Sequence, residues 1–304
     1  MDKLAEGESA PRQGPLAAAP SLAVQFFLIP LAVVGVLVMV YLGFRMLIED
    51  QRTAQEYLHD VQYGGRERRW PAAYELSRLM VAPGAEAADP TIGPALVQAF
   101  EDAAGDDPRV RRYLALAIGR LEQPPAAAVP ALLAAIDDPD GEVAVSAVWA
   151  LGAIGDPAAV PGLSVIYGST DPGLRKVTVY ALGAIAGTSQ IGTLRMALED
   201  PVADVQWNAA VALARHRDAS GVTVLRRMLD REYVARQVTR IGREAEEADP
   251  VADVIISGLR AVGALGEASL RDSVAALSRD DTSVQVRTVA LETLERLNGD
   301  RPRS

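Results

Sequence analysis

Side chains with catalytic potential are few in this sequence, and their spacing does not assemble a reaction centre. The two histidines, His59 and His216, are far apart in the chain, and there is no cysteine. Paired acids such as Asp137 and Asp138 stand where helices begin, and a carboxylate there caps free backbone N–H groups. The sequence contains no phosphate-binding loop, serine-hydrolase elbow or zinc-protease motif. We therefore predict a protein that is not an enzyme and that uses no cofactor or metal.

A run of arginines in residues 231–243 is typical of a binding helix. Helical spacing places Arg236, Arg240 and Arg243 on one face and apolar residues, including Val234 and Val238, on another. Two interpretations remain open for this segment. Either the apolar face packs on a neighbouring helix while the arginines are solvated, or the arginines dock an acidic protein or anionic lipid headgroups.

Two aromatic residues form a second candidate for binding. Trp149 and Tyr180 are one period apart in the internal repeat described next, so we expect them on the same face of neighbouring helices. A row of exposed aromatic side chains is a typical hot spot of a protein interface. Alternatively, this position lies at the edge of the core.

An internal repeat must position all of these residues. The same pattern recurs six times: an apolar residue, then a variable residue, and a second apolar residue seven places after the variable one. The variable positions are Arg111, Ala144, Arg175, Gln206, Ile255 and Arg287. Their steps are 31 to 33 residues, except for one step of 49 that indicates an insertion near 230–248. A period close to this length is typical of a solenoid, whose extended faces bind partners.

Each repeat is predicted to contain two helices. Asp171 is predicted to cap a helix, and Pro172 suits the first position of that helix. Small residues six and eight places after the variable position predict close approach of neighbouring helices, as at Gly152 and Ala181. The predicted fold class is therefore all-α.

Three stretches, DPRVRRYLALAIGRL, DPDGEVAVSAVWALGAIGDPAAVPGL and DPGLRKVTVYALGAIAGTSQ, resemble HEAT repeats of the short bacterial type found in phycobilisome-lyase-like proteins. The resemblance covers about residues 66–298 and implies a right-handed α-solenoid of HEAT-like helical repeats. We place about six repeats in residues 66–300, with an atypical capping repeat at 66–80. The resemblance also implies a scaffold or adaptor that binds proteins. Since Ala144, Gln206 and Ile255 replace the arginine of the family pattern, we expect the Arg–Asp contacts between repeats to be interrupted there.

The N-terminal region predicts a membrane anchor. Residues 21–48 carry one charge, Arg45, in a stretch long enough for a single transmembrane helix. Residues 1–20 are predicted to be a disordered tail and residues 49–65 a helical stalk and linker. More arginines follow the stretch than precede it, which favours a solenoid in the cytoplasm at a bacterial inner membrane.

Composition limits the partners. The chain has 30 basic and 40 acidic residues, a net charge of −10, which argues against general binding of nucleic acid. We predict a membrane-anchored adaptor that holds a protein partner or complex at the bacterial inner membrane, with possible contact to anionic lipid. The alternative is an accessory subunit, or a lyase-like or chaperone-like protein, for a cofactor-bearing client.

Overall fold

The computed structural model describes residues 29–48, 52–81, 89–238 and 249–299. The predicted tail, residues 1–20, lies outside these ranges. Contacts divide the chain into two compact units, Met1–Arg52 and Thr53–Ser304. The first unit contains helix α1 (Ile29–Ile48), a helix of 20 residues. Among the residues described, no helix has both the length and the apolarity that crossing a bilayer requires.

The second unit consists of helices, and its described ranges contain no β-strand, so the all-α prediction is confirmed. It opens with α2 (Ala54–Tyr63), and a short helix, α13 (Arg231–Gln237), occupies the predicted insertion. The first helices of successive repeats are α3 (Arg66–Leu79), α5 (Pro108–Ile118), α7 (Gly141–Ile154), α9 (Pro172–Ala184), α11 (Ala203–Arg215), α14 (Pro250–Leu265) and α16 (Val284–Gly299). The second helices are α4 (Ile92–Asp102), α6 (Ala128–Ala134), α8 (Val160–Ile166), α10 (Ile191–Ala197), α12 (Val222–Met228) and α15 (Arg271–Asp280).

The first helices pack side by side along the array. Each contacts the first helix of the next repeat, and one buried core runs from Ala54 to Leu297. Glycine makes the closest of these approaches possible, because a Cβ on Gly152 would lie 2.6 Å from Cα of Ala181. A Cβ on Gly183 would likewise lie 2.5 Å from Cβ of Ala212 in the next pair. The prediction that small residues bring neighbouring helices together is therefore confirmed.

The array begins before the predicted capping repeat. Helix α2, which was predicted as part of a stalk, buries Tyr57, Leu58 and Val61. It packs against α3 and α4, and Arg69 Nε of α3 donates to the carbonyl oxygen of Val61 at 2.7 Å. The stalk assignment is thus corrected for residues 54–63: the apolar face of α2 is covered by α3 and α4, so α2 is the first layer of the array.

Helix capping follows the prediction at Asp171, but the prediction that Asp137 and Asp138 cap a helix is wrong, because Asp140 caps α7 and Asp138 instead accepts from the N–H of Asp140. The carboxylate of Asp171 accepts from the N–H of Gly173 at 2.8 Å at the start of α9. Asp140 accepts from the N–H groups of Glu142 and Val143 at the start of α7. Because these bonds satisfy N–H groups that a helix leaves free, they favour the observed starts of α7 and α9.

Candidate protein-interaction surface

Buried Arg–Asp pairs hold successive repeats in register. Arg175 of α9 donates to both carboxylate oxygens of Asp200, with Nε–Oδ2 2.8 Å and Nη2–Oδ1 3.0 Å. Asp200 is 3% exposed. Its carboxylate oxygen Oδ1 also accepts a hydrogen bond from the backbone N–H of Val202. Burial alone favours the neutral acid, but the hydrogen bonds from Arg175 and Val202 outweigh it and hold the pKa of Asp200 below its usual range.

The same arrangement recurs in two earlier repeats. Arg69 bonds to the carboxylate of Asp106, and Arg111 bonds to that of Asp138. In each case an arginine at the variable position reaches the acidic turn that follows its own repeat. This row of pairs fixes the spacing of the helices that carry the exposed surface.

The insertion continues the row where an arginine is missing. Ile255 of α14 is fully buried, and Arg231 of α13 instead donates to Asp281, with Nε–Oδ2 2.9 Å and Nη2–Oδ1 2.8 Å. The predicted interruption at Ile255 is therefore wrong, because the guanidinium comes from a different helix. At Gln206 the side-chain amide donates at 2.6 Å to the backbone oxygen of Asp200 in the turn before α11, so this bond lies at the start of its own helix and does not replace an Arg–Asp pair.

The predicted basic helix is shorter in the described residues. Helix α13 ends at Gln237, and both Arg240 and Arg243 lie outside the described residues. Arg236 is placed on the surface, with 64% of its side chain exposed, and its Nη1 lies 3.9 Å from a carboxylate oxygen of Glu232. Val234 is fully buried. The apolar face of this helix thus packs within the array, as the first of the two interpretations requires.

Trp149 and Tyr180 occupy equivalent positions of the adjacent helices α7 and α9, but their exposure differs. Trp149 is half-buried against the core, and the guanidinium of Arg120 lies 5.4 Å from its ring centroid. Tyr180 is 49% exposed. Both predictions made for this position therefore hold in part, because Trp149 lies at the core edge and Tyr180 faces solvent.

The aromatic surface extends further towards the N-terminus than the sequence analysis recognised. Tyr74, 41% exposed, lies on α3 and meets Tyr113 of α5 edge to face, with 5.2 Å between ring centroids. Tyr74 stands five residues after Arg69, which is the register position that Trp149 and Tyr180 also occupy. Aligning the capping repeat with the later repeats would have identified Tyr74 from the sequence. We call this exposed side of α3, α5, α7 and α9 the outer face.

Arginines are interleaved with these rings. The guanidinium of Arg109 lies 4.6 Å from the ring centroid of Trp70, and that of Arg112 lies 5.7 Å from the ring centroid of Tyr113. Successive residues of a helix advance by about 100°, so residues one, two, five and nine places after each variable position share one side. The outer face therefore presents arginine and aromatic side chains together across consecutive repeats.

A cleft lies farther along the array, between α11 and α14. Its volume is about 770 Å³, and its lining includes Trp207, Val211, Met228, Val238 and Val254. Trp207 is 5% exposed, and its indole N–H has no hydrogen-bond partner among the residues that the structure describes. Sequence reasoning missed this cleft because α13, whose end contributes Val238, is outside the repeat pattern.

Comparison with known proteins places this architecture in context. Residues 93–183 and 162–242 match the family model described as HEAT repeats. The complex of CpcE and CpcF of phycocyanin lyase from Nostoc sp. PCC7120 aligns over 84% of this chain and 91% of the other, with 23% identity and a TM-score of 0.54. A designed armadillo repeat protein in complex with the peptide (KR)4 aligns over 80% of this chain and 98% of the other, with 17% identity and a TM-score of 0.43. None of the curated proteins matches the sequence.

Proposed function

From an array whose residues 93–242 match HEAT repeats, we propose that this protein is a scaffold or adaptor that binds a protein partner and performs no catalysis itself. The observation that carries the proposal is the outer face, where Tyr74 and Tyr180 are 41% and 49% exposed on a rigidly packed surface. Tyr, Trp and Arg are the residue types that dominate binding energy at protein interfaces. Helices held in register by buried Arg–Asp pairs present these side chains without a large ordering cost on binding.

We place the scaffold at the bacterial inner membrane, with the array in the cytoplasm. The support is the charge-poor sequence of residues 21–48 and the excess of arginines after it. Tethering a partner near the membrane raises its effective concentration there, so the scaffold would promote assembly without new chemistry.

A second candidate is an accessory subunit, or a lyase-like or chaperone-like protein, for a cofactor-bearing client. The cleft between α11 and α14 favours it, because about 770 Å³ lies within the range of small-molecule sites. Its lining combines apolar side chains, among them Trp207 and Val211, with polar ones such as Asn208 and Asp253, and small-molecule sites use both kinds.

Co-purification of the full-length protein from its native membranes tests the two candidates. The protein is extracted in mild detergent, and co-eluting proteins and small molecules are quantified by mass spectrometry. If the protein is a scaffold, we expect a protein partner to co-elute in stoichiometric amount. The partner should still co-elute with Tyr63→Ala, and its amount should fall with Tyr180→Ala. Tyr63 is the matched control, since it is 76% exposed but lies at the end of α2.

Other outcomes separate the candidates. Elution of the protein alone would contradict the scaffold, and elution with a bound pigment or other small molecule would favour the second candidate. A triple variant, in which Arg236, Arg240 and Arg243 are changed to Glu, tests the insertion. Loss of the partner in that variant alone would place the docking site on the insertion in place of the outer face.

A further inference from the structure

Three arginines stacked on three aromatic rings form the most distinctive part of the outer face. They are Arg109 on Trp70, Arg112 on Tyr113 and Arg120 on Trp149, with 4.6, 5.7 and 5.4 Å between guanidinium carbon and ring centroid. We call these six residues the arginine–aromatic patch. Resting on the proposed scaffold function, we infer that this patch binds an acidic peptide segment of the protein partner.

Stacking prepares the guanidinium groups for carboxylates. A guanidinium that lies flat on a ring keeps its N–H edge free for in-plane hydrogen bonds, and two of these bonds fit a carboxylate. The ring contributes apolar surface to the same contact, so acidic residues that alternate with apolar ones suit the patch. Arg112 and Arg120 thus act as preoriented donors.

The charges within the patch are only partly compensated. Arg120 Nη1 donates to the backbone oxygen of Ser77 at 2.7 Å, and burial lowers the pKa of this arginine. Arg112 reaches Glu142 at 3.4 Å, and 67% of the Glu142 side chain is exposed. The buried Nε of Arg112 has no partner in the ranges that the structure describes. Exposed ion pairs of this kind contribute little free energy, so an incoming carboxylate exchanges with Glu142 at small cost.

Arg109 is the exception within the patch. It forms two hydrogen bonds with Asp107, with Nε–Oδ1 3.0 Å and Nη2–Oδ2 2.6 Å, and the carboxylate of Asp107 also caps α5. Arg109 therefore supplies ring contact more than free charge, and Arg112 and Arg120 carry the recognition of acidic groups.

The charge of the whole chain restricts where an acidic peptide binds. A net charge of −10 repels such a peptide from most of the surface and steers it to a local concentration of arginines. The same net charge disfavours a nucleic acid, whose affinity depends on neutralising many phosphates. A protein segment is thus the occupant that the charges and the rings favour together.

Fluorescence anisotropy on the full-length protein in detergent tests the inference. The probe is a fluorescein-labelled peptide of Glu-Glu-Leu repeats, and a Lys-Lys-Leu peptide is the control. We expect saturable binding of the acidic peptide that weakens as salt rises, and no binding of the basic one. Arg112→Ala should lower the affinity for the acidic peptide by about tenfold or more, as expected for loss of a hot-spot arginine.

Matched variants keep the result interpretable. Arg112→Lys retains the charge but loses the planar double donor, so it should give an intermediate loss of affinity. Arg279→Ala removes an exposed arginine of α15, far along the array, and should leave the affinity within about twofold. Circular dichroism of each variant verifies that it is folded.

Several outcomes would overturn the inference. These are equal affinity of the two peptides, equal effects of Arg112→Ala and Arg279→Ala, or tighter binding of a single-stranded oligonucleotide than of the acidic peptide. If the native partner still co-purifies with Arg112→Ala at full stoichiometry, the scaffold stands and this inference fails. If no partner co-purifies with the unaltered protein, the proposed function itself fails.

Discussion

Arg231 and Asp281 are 50 residues apart in the sequence and form a two-bond ion pair that joins the insertion to the last turn between repeats. Asp281 has 1% of its side chain exposed, and Arg231 has 27%. The hydrogen bonds to Asp281 are the main cause that raises the pKa of Arg231, and burial opposes them. The pair replaces the arginine that α14 lacks at Ile255, so the insertion is a structural part of the array.

Arg231→Ala is expected to loosen the insertion and to lower the free energy of unfolding by about 2–3 kcal/mol, because it leaves the Asp281 carboxylate buried without its cation. Chemical denaturation measures the global effect, and hydrogen exchange in residues 231–237 measures the local one. The matched control is Arg236→Ala in the same helix, whose pair with Glu232 is exposed and 3.9 Å long. Equal stability of the two variants would show that the Arg231–Asp281 pair does not stabilise the array.

Gly152→Ala is expected to destabilise the protein by about 1–3 kcal/mol, because the new Cβ would lie 2.6 Å from Cα of Ala181 and force α7 and α9 apart. Gly192→Ala is the control, since it lies in helix α10 with no atom within 4 Å of its Cβ. The control should gain about 0.5–1 kcal/mol from the higher helix propensity of alanine. Thermal melts of both variants measure the difference, and a stabilising Gly152→Ala would refute the close-packing argument.

Asp200 should make the stability of the array depend on acid pH. Since its pKa is lowered in the folded state, its contribution is present above the unfolded pKa of about 3.9 and is lost as pH falls through the folded pKa. Asp200→Asn should therefore be less stable than the unaltered protein at neutral pH, and the gap should shrink as the solution is acidified below about pH 4. Urea denaturation at a series of pH values measures the gap. A difference in stability that stays constant down to strong acid would exclude this linkage. Asp272→Asn, at an exposed aspartate, is the control for the loss of one negative charge.

Trp207 allows the ring and its N–H group to be tested separately. Its indole N–H is buried and has no partner within the described part of the chain. Trp207→Phe keeps most of the ring and removes this donor, so it should change stability by less than about 1 kcal/mol. Trp207→Ala removes the ring and should cost about 3–5 kcal/mol. Denaturation curves followed by circular dichroism distinguish the two variants. A large loss in Trp207→Phe would mean that the N–H group is satisfied in solution.

The repeated helices could be predicted without a structure, because their signals are local in the sequence. The period near 32 residues, the capping carboxylate of Asp171 and the small residues at Gly152 and Ala181 each constrain neighbouring parts of one or two repeats. The register also identified Trp149 and Tyr180 as equivalent positions, and the structure places them on adjacent helices. Local rules suffice for these features, since each repeat contacts chiefly its neighbours.

The partner that each side chain meets depends on how the helices pack in three dimensions. The sequence predicted an interruption at Ile255, yet Arg231 fills the place from a helix that lies outside the repeat pattern. It predicted a stalk where α2 covers the start of the array, and it gave no sign that Arg109, Arg112 and Arg120 stack on rings across three repeats. The physical reason is common to all three cases: a guanidinium or an apolar face is satisfied by whichever group packing brings within reach, and that distance is not encoded by spacing along the chain.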